Sequence, residues 1–143
     1  MKAVKINEMK VTLPSISANE STARAIVGAF CAQLDPTLEE IADLKCAVSE
    51  AVTNCIVHAY RGERGPIYIS VALYDDRSIT VVIRDRGCGI PDVRLARQPL
   101  YTTNSDGERS GMGFSVMETF TDRLSVRSRI GVGTRVTMKK CLS

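Results

Sequence analysis

The chain has 143 residues, of which 44% are hydrophobic and 24% charged, and its formal net charge is +3. That composition describes one globular domain with a single substantial core, and argues against disorder, membrane embedding or a second domain. The charge is mild and spread along the chain without a long basic run, so no direct DNA binding is expected.

The opening segment MKAVKINEMKVTLP lacks the apolar core of a secretory signal, and stretches such as AIVGAFCA are too short to span a bilayer. A cytoplasmic protein without membrane attachment is predicted. Residues 4–13 alternate enough for a first or edge strand. Ser17 and Glu20 form a capping-box signature for a helix to about Leu34, with Ala23, Val27, Phe30, Cys31 and Leu34 on one face. Asp35 and Pro36 break it. Thr37 with Glu40 repeats the signature and opens a second helix to about Tyr60, whose apolar face is Ile41, Leu44, Val48, Val52, Cys55 and Ala59.

Gly62, Gly65 and Pro66 stop that helix. IYISVALYD and ITVVIRD then read as a hairpin across DDRS. From Gly87 to about Gly111 the chain is poor in apolar residues, a length of connection that is usually functional or mobile in a compact domain. GMGFSVMETFTD reads as a helix, and LSVRSRI and TRVTMKK as a second hairpin around GVG. The order predicts an α+β domain with helices packed on one face of a mixed sheet. Cys31, Cys46, Cys55, Cys88 and Cys141 are an odd set without a CxxC pair, so reduced thiols are expected, used mostly as small core residues.

Three places carry chemistry. In CAVSEAVTNCIVHAY, Glu50 is the only acidic residue and no Lys or Arg occurs, so the helix is nearly apolar all round and should be covered. Glu50, Asn54 and His58 share a stripe opposite the core stripe. That stripe is either a structural hydrogen-bond ladder or a carboxylate and amide aimed into a pocket, where the amide oxygen can hold Mg²⁺ and the carboxylate can take a proton. His58 fits a structural role better than a catalytic one. In DRGCGIP, Asp85 ends a strand and offers an acceptor to an amino group, while Gly87 and Gly89 let a flat ligand lie against the backbone; an ordinary Asp-Gly turn reads the same way. In GMG, Gly111 and Gly113 at a helix start suit phosphate, with Arg109 and Ser110 beside them, or else tight helix packing. No GxxxxGK[ST], kinase glycine loop or strand-GxGxxG-helix fingerprint is present, so nucleotide binding needs another fold.

These residues carry a resemblance. ExxxN in VSEAVTNCIVHAY resembles the N box, DRGCGIP the G1 box and SGMGF the G2 box of the GHKL (Bergerat) ATP-binding fold shared by gyrase, Hsp90, MutL and histidine kinases; GTRV at 133–136 resembles its last nucleotide-side motif. ESTARAIVGAFCAQLDPT, VSEAVTNCIVHAY, ARQPLYTT and ERSGMGFSVMETF are similar to the anti-sigma F serine kinases of spore-forming bacteria, over roughly residues 10–140. The resemblance implies ATP/ADP and Mg²⁺ as cofactors, with Asn54 as the metal ligand and Glu50 as the general base toward a serine hydroxyl. It places Asp85 on the adenine amino group, with Gly89 and Thr134 nearby. It makes 97–111 a lid, with Arg109 reaching the γ-phosphate and Thr102, Thr103, Ser110, Gly111 and Gly113 around the nucleotide. It implies a homodimer that binds a sigma factor of the sigma F type, phosphorylates an anti-anti-sigma partner and meets these proteins through Glu20 and Arg24.

The departures are Arg86 and Cys88 at variable places in DRGCGIP and the lid sequence NSDGE. Cys88 suggests sensitivity of nucleotide binding to thiol reagents, which unchanged ATP affinity after alkylation would exclude. A histidine-kinase catalytic domain would need a phosphoacceptor on a separate helix, yet His58 is the only histidine. A gyrase or MutL type ATPase would need a transducer domain, for which there is no room. A nucleotide-gated sigma-binding module without kinase activity is opposed by Glu50, and a serine kinase of a general-stress pathway would share the same chemistry.

Overall fold

A computed structural model of the chain describes residues 2–98 and 113–143. Strand β1 (Lys5–Pro14) leads into α1 (Ala18–Cys31), which tightens through Ala32–Leu34 before Asp35 reverses the chain in the left-handed region at φ 52°. Ser17 does not cap α1. It has helical backbone angles and makes no side-chain cap: the Glu20 N–H donates to the Ser17 carbonyl at 3.2 Å, and the Glu20 carboxylate expected to complete the box accepts the Ser49 hydroxyl and pairs with Arg24 Nε at 2.7 Å.

Helix α2 (Leu38–Asn54) begins as the sequence predicts. Thr37 Oγ1 accepts from the Glu40 N–H at 3.0 Å, and Glu40 Oε1 accepts from the Thr37 N–H at 2.8 Å. Its far end widens into a π turn over Cys55–Ala59, closed by the Tyr60 N–H on the Cys55 carbonyl at 3.0 Å. Strands β2 (Pro66–Tyr74) and β3 (Ser78–Asp85) form the first hairpin. A short helix α3 (Val93–Arg97) follows, which the sequence reading left inside the long connection. Asp92 Oδ1 caps it by accepting the Leu95 N–H at 3.1 Å. Helix α4 (Phe114–Phe120) and the hairpin of β4 (Arg123–Arg129) and β5 (Gly133–Cys141) complete the described chain.

The strands form one sheet in the order β1-β2-β3-β5-β4. All of its pairings among the described residues are antiparallel, so the expected mixed sheet is corrected. The reason is topological: β2–β3 and β4–β5 are tight hairpins, the α1–α2 pair returns the chain antiparallel to β1, and β3 and β4, which run in the same direction, are kept apart by β5 between them.

Period-two alternation sends Ile67, Ile69, Val71 and Leu73 of β2 and Ile79, Val81 and Ile83 of β3 to one face. Against them lie Val27 and Cys31 of α1, Leu44, Val48 and Val52 of α2, and Phe114 and Met117 of α4, all buried. Each of these larger side chains contributes roughly 1.5–3 kcal/mol on burial, which fixes α2 onto the sheet. The thiols are free, as expected, but only Cys31 and Cys55 are buried; Cys46 and Cys88 are half-buried and Cys141 is exposed. Among the described residues no helix is long and apolar enough to cross a membrane.

Candidate functional site

The end of α2, the end of β3, the start of α4 and the start of β5 converge on one pocket. Asn54, His58, Asp85, Gly89, Phe114 and Thr134 are among its lining, with Ile83, Ile90 and Val136 as apolar walls. Four residues that the sequence singled out for a nucleotide, Asn54, Asp85, Gly89 and Thr134, therefore share one cavity. Its mixture of apolar wall and few convergent polar groups suits a flat heteroaromatic ligand.

Asp85 is the pivotal polar group, only 6% exposed. Its Oδ1 accepts the Gly87 N–H at 2.9 Å and the Thr134 N–H at 3.2 Å, while its Oδ2 has the Cys55 thiol at 3.6 Å. Burial pushes the carboxyl above its ordinary range, opposed by the two backbone N–H groups and the thiol. A thiol is a weak donor, so Oδ2 is a strong acceptor with a poor partner, suited to a ligand amino group. Burial and the neighbouring carboxylate in turn push the Cys55 thiol far above its usual value, so it stays protonated and donates.

Thr134, 9% exposed, is held by a partner that the sequence did not reveal. Ser128 Oγ lies 2.8 Å from the Thr134 hydroxyl, accepts the Ile90 N–H at 2.7 Å and donates to the Gly133 carbonyl at 3.2 Å. The signal available was the pairing of the two hairpin strands, which sets Ser128 directly opposite Thr134. Gly133, which the sequence reading noted only as part of GVG and GTRV, has a packing role as well. A Cβ there would run into the Asp85 carbonyl, so glycine is what lets β5 start beside the carboxylate.

The glycines of DRGCGIP prove to serve protein contacts. Gly89 lines the pocket, but at φ +81° its Cβ position is filled by the Arg129 carbonyl; at Gly87 it is filled by Ala59 of the π turn. Gly89 thus lies at the pocket and against the Arg129 carbonyl, whereas Gly87 is not among the pocket-lining residues and packs on Ala59.

Glu50 stands one turn back from Asn54, half-buried, with Oε2 occupying the space that a side chain on Gly113 would need. Gly113 is left-handed at φ +70° and caps α4, so the glycine brings α4 directly onto the carboxylate. Burial, then the Arg61 charge, lowers the His58 pKa and keeps its ring neutral at the pocket wall. Glu20 and Arg24 form their ion pair on α1, and Glu20 also accepts the hydroxyl of Ser49, the residue next to Glu50. Arg109, Thr102, Thr103, Ser110 and Gly111, and the lid apart from Arg97 and Gln98, lie outside the described residues.

A fold of this sheet and helix order, with a buried strand-end aspartate facing an asparagine on the central helix, defines an ATPase-type nucleotide domain. The chain belongs to the histidine kinase-like ATPase domain family, which matches residues 13–140. Within it the chain stands among the anti-sigma F factors. It is 56% identical to the anti-sigma F factor of Caldanaerobacter subterraneus subsp. tengcongensis over 134 residues, covering 94% of this chain and 93% of that one. It is 51% identical to the anti-sigma F factor of Bacillus licheniformis over 138 residues, covering 96% and 94%. In fold it resembles the RsbU and RsbW domains of a Mycobacterium tuberculosis protein, with a TM-score of 0.71, 22% identity, and 96% and 33% coverage.

Proposed function

We propose that this chain is an anti-sigma factor and an ATP-dependent protein serine kinase: it holds a sigma factor of the sigma F type in its ATP state, as a homodimer, and phosphorylates a serine of an anti-anti-sigma protein. The observation that carries the reading is the meeting of Asp85, Asn54 and Thr134 in one pocket, with Glu50 a turn away against Gly113. The high identity to proteins named anti-sigma F factor supports the sporulation pathway over a general-stress one.

On this reading Asp85 Oδ2 accepts the adenine amino group and Ile90, Ile83 and Phe114 enclose the base. The donor set fits Mg²⁺, since that ion takes few protein ligands and keeps phosphate and water oxygens, and Asn54 supplies one amide oxygen; no cluster of His, Cys, Asp and Glu that could hold a metal occurs among the described residues. The ion, when bound, neutralises phosphate charge. Glu50 accepts the proton of the attacking serine hydroxyl, and its contact with Gly113 sets the position from which it does so. Phosphoryl transfer asks little else of the protein than positioning and charge, with Arg109 as the added cation. Glu20 and Arg24 are the proposed contacts to the protein partners.

The test is transfer of label from γ-labelled ATP, with Mg²⁺, to a candidate anti-anti-sigma protein. Acid-stable label on a serine is expected. ATP binding without any transfer would overturn the kinase assignment and leave a nucleotide-gated clamp.

A further inference from the structure

The turn that presents Asp85 is fastened to the end of the helix that carries Glu50 and Asn54. Helix ends leave carbonyl groups without intrahelical partners. Here the Ala59 carbonyl accepts the Cys88 N–H at 3.1 Å and the His58 carbonyl accepts the Cys88 thiol at 3.4 Å. Tyr60, the residue after the π turn, completes the fastening. Its hydroxyl accepts the Arg86 N–H at 2.7 Å and donates to the Pro66 carbonyl at 2.6 Å, so one atom joins the helix end, the start of β2 and the residue next to Asp85. Its ring occupies the space a side chain at Gly65 would need, which holds the hydroxyl in place.

We propose that Tyr60 is a positioning residue for base recognition: through the Arg86 N–H it fixes the Asp85 carboxylate relative to the helix and thereby sets the preference for a 6-amino purine. The inference rests on the nucleotide reading above. Phenylalanine at this position keeps the ring packing but removes the direct bonds to the Arg86 N–H and the Pro66 carbonyl, so the turn gains freedom where the acceptor must be placed within a few tenths of an ångström. A residue that merely stabilised the fold would lower affinity for all nucleotides alike. A positioning residue lowers it selectively for those that use Asp85.

The experiment compares ATP with inosine triphosphate, which carries a carbonyl oxygen in place of the 6-amino group, by titration calorimetry on the wild-type protein, Tyr60→Phe and Arg86→Ala. In Tyr60→Phe, ATP affinity should fall about 10-fold while inosine triphosphate affinity changes less than about 2-fold. Arg86→Ala keeps the backbone N–H and should retain the wild-type preference. A wild-type ATP preference retained in Tyr60→Phe overturns the inference. A wild-type protein that binds both nucleotides equally removes the Asp85 reading itself, and the latch with it. Should Tyr60→Phe fail to fold, amide hydrogen exchange on the wild type decides: slow exchange at Arg86 supports the latch, and exchange at the rate of an open turn overturns it.

Discussion

At its N-terminal end α2 is closed by its own neighbours: Thr37 and Glu40 exchange hydrogen bonds at 3.0 and 2.8 Å within one turn of chain. At its C-terminal end the partners come from far along the sequence, with the Ala59 carbonyl and the Tyr60 hydroxyl accepting from Cys88 and Arg86. The first end is chiefly a local device, joined by one distant donor, the Ser143 N–H on Glu40 Oε2 at 2.8 Å, and disturbing it should cost stability without touching the pocket. The second end is part of the pocket wall, and disturbing it should cost ligand recognition first. The helix thus separates a stabilising terminus from a functional one, with Glu50 and Asn54 on the functional side.

The largest effect on nucleotide affinity is expected at Asp85. Asp85→Asn puts an amide donor where a ligand amino group needs an acceptor, or else turns its oxygen outward and sets its NH₂ against the Gly87 and Thr134 N–H groups; ATP affinity should fall about 100-fold by titration calorimetry. The nucleotide-free protein should melt no lower than wild type. Because burial raises the folded-state pKa of this carboxyl, its ionised form opposes folding at neutral pH, a cost that the substitution removes. A variant that binds ATP as well as wild type would break the assignment of Asp85 to the base.

The largest effect on phosphoryl transfer is expected for Glu50→Gln, which preserves shape against Gly113 but removes the proposed base. ATP affinity should stay within about 3-fold, while phosphorylation of the partner serine falls by roughly 100- to 10,000-fold. Wild-type transfer rates would end the role assigned to Glu50.

Thr37→Ala tests the other end. Loss of this cap should lower stability by about 1 kcal/mol, read by denaturant unfolding, with ATP affinity unchanged. The box also has a pH signature. Backbone hydrogen bonds from Thr37 and then Ser143 hold the Glu40 carboxyl down at about 2, against a usual 4.5. A depressed acid contributes stability above its unfolded pKa and loses it as pH falls, so this contribution disappears between about pH 4.5 and 2. A change in ATP affinity in Thr37→Ala would erase the contrast between the two ends.

That contrast also explains what the sequence could disclose. Thr37 and Glu40 were legible because both partners lie within one helical turn, and Asn54 and Asp85 because a lone amide in an apolar helix and an acid at a strand end are anomalies at their own positions. Ser17 and Glu20 show the same local pattern as Thr37 and Glu40, yet Glu20 is drawn to Arg24 one turn on and to Ser49 on α2, and the second partner is one that no local window reveals. Tyr60 and Ser128 looked ordinary since their importance comes from β4–β5 register and from contacts across the fold. The glycines of DRGCGIP were suspected of a close approach, and the structure brings Gly87 against Ala59 and Gly89 against the Arg129 carbonyl, contacts with distant partners that the sequence could not name. Helix α3 was overlooked because its Asp92 cap precedes only one turn of helix.

The smallest expected effect lies at His58, on the functional end of α2. Burial first, and Arg61 second, lower its pKa below the usual 6.5. In the window between that lowered value and about 6.5 the unfolded chain binds a proton that the folded chain refuses, so this group's contribution to stability is present above 6.5 and is lost as pH falls through the folded pKa. Replacing it by Asn keeps a polar, uncharged group at the pocket wall and removes the titration. Thermal melting of the two proteins between pH 7.5 and 5.5 should therefore show the wild type losing more stability than His58→Asn. Equal slopes would mean that the imidazole is free to take up its proton in the folded state, and that the pocket wall at this end of α2 is open to water rather than packed around a neutral ring.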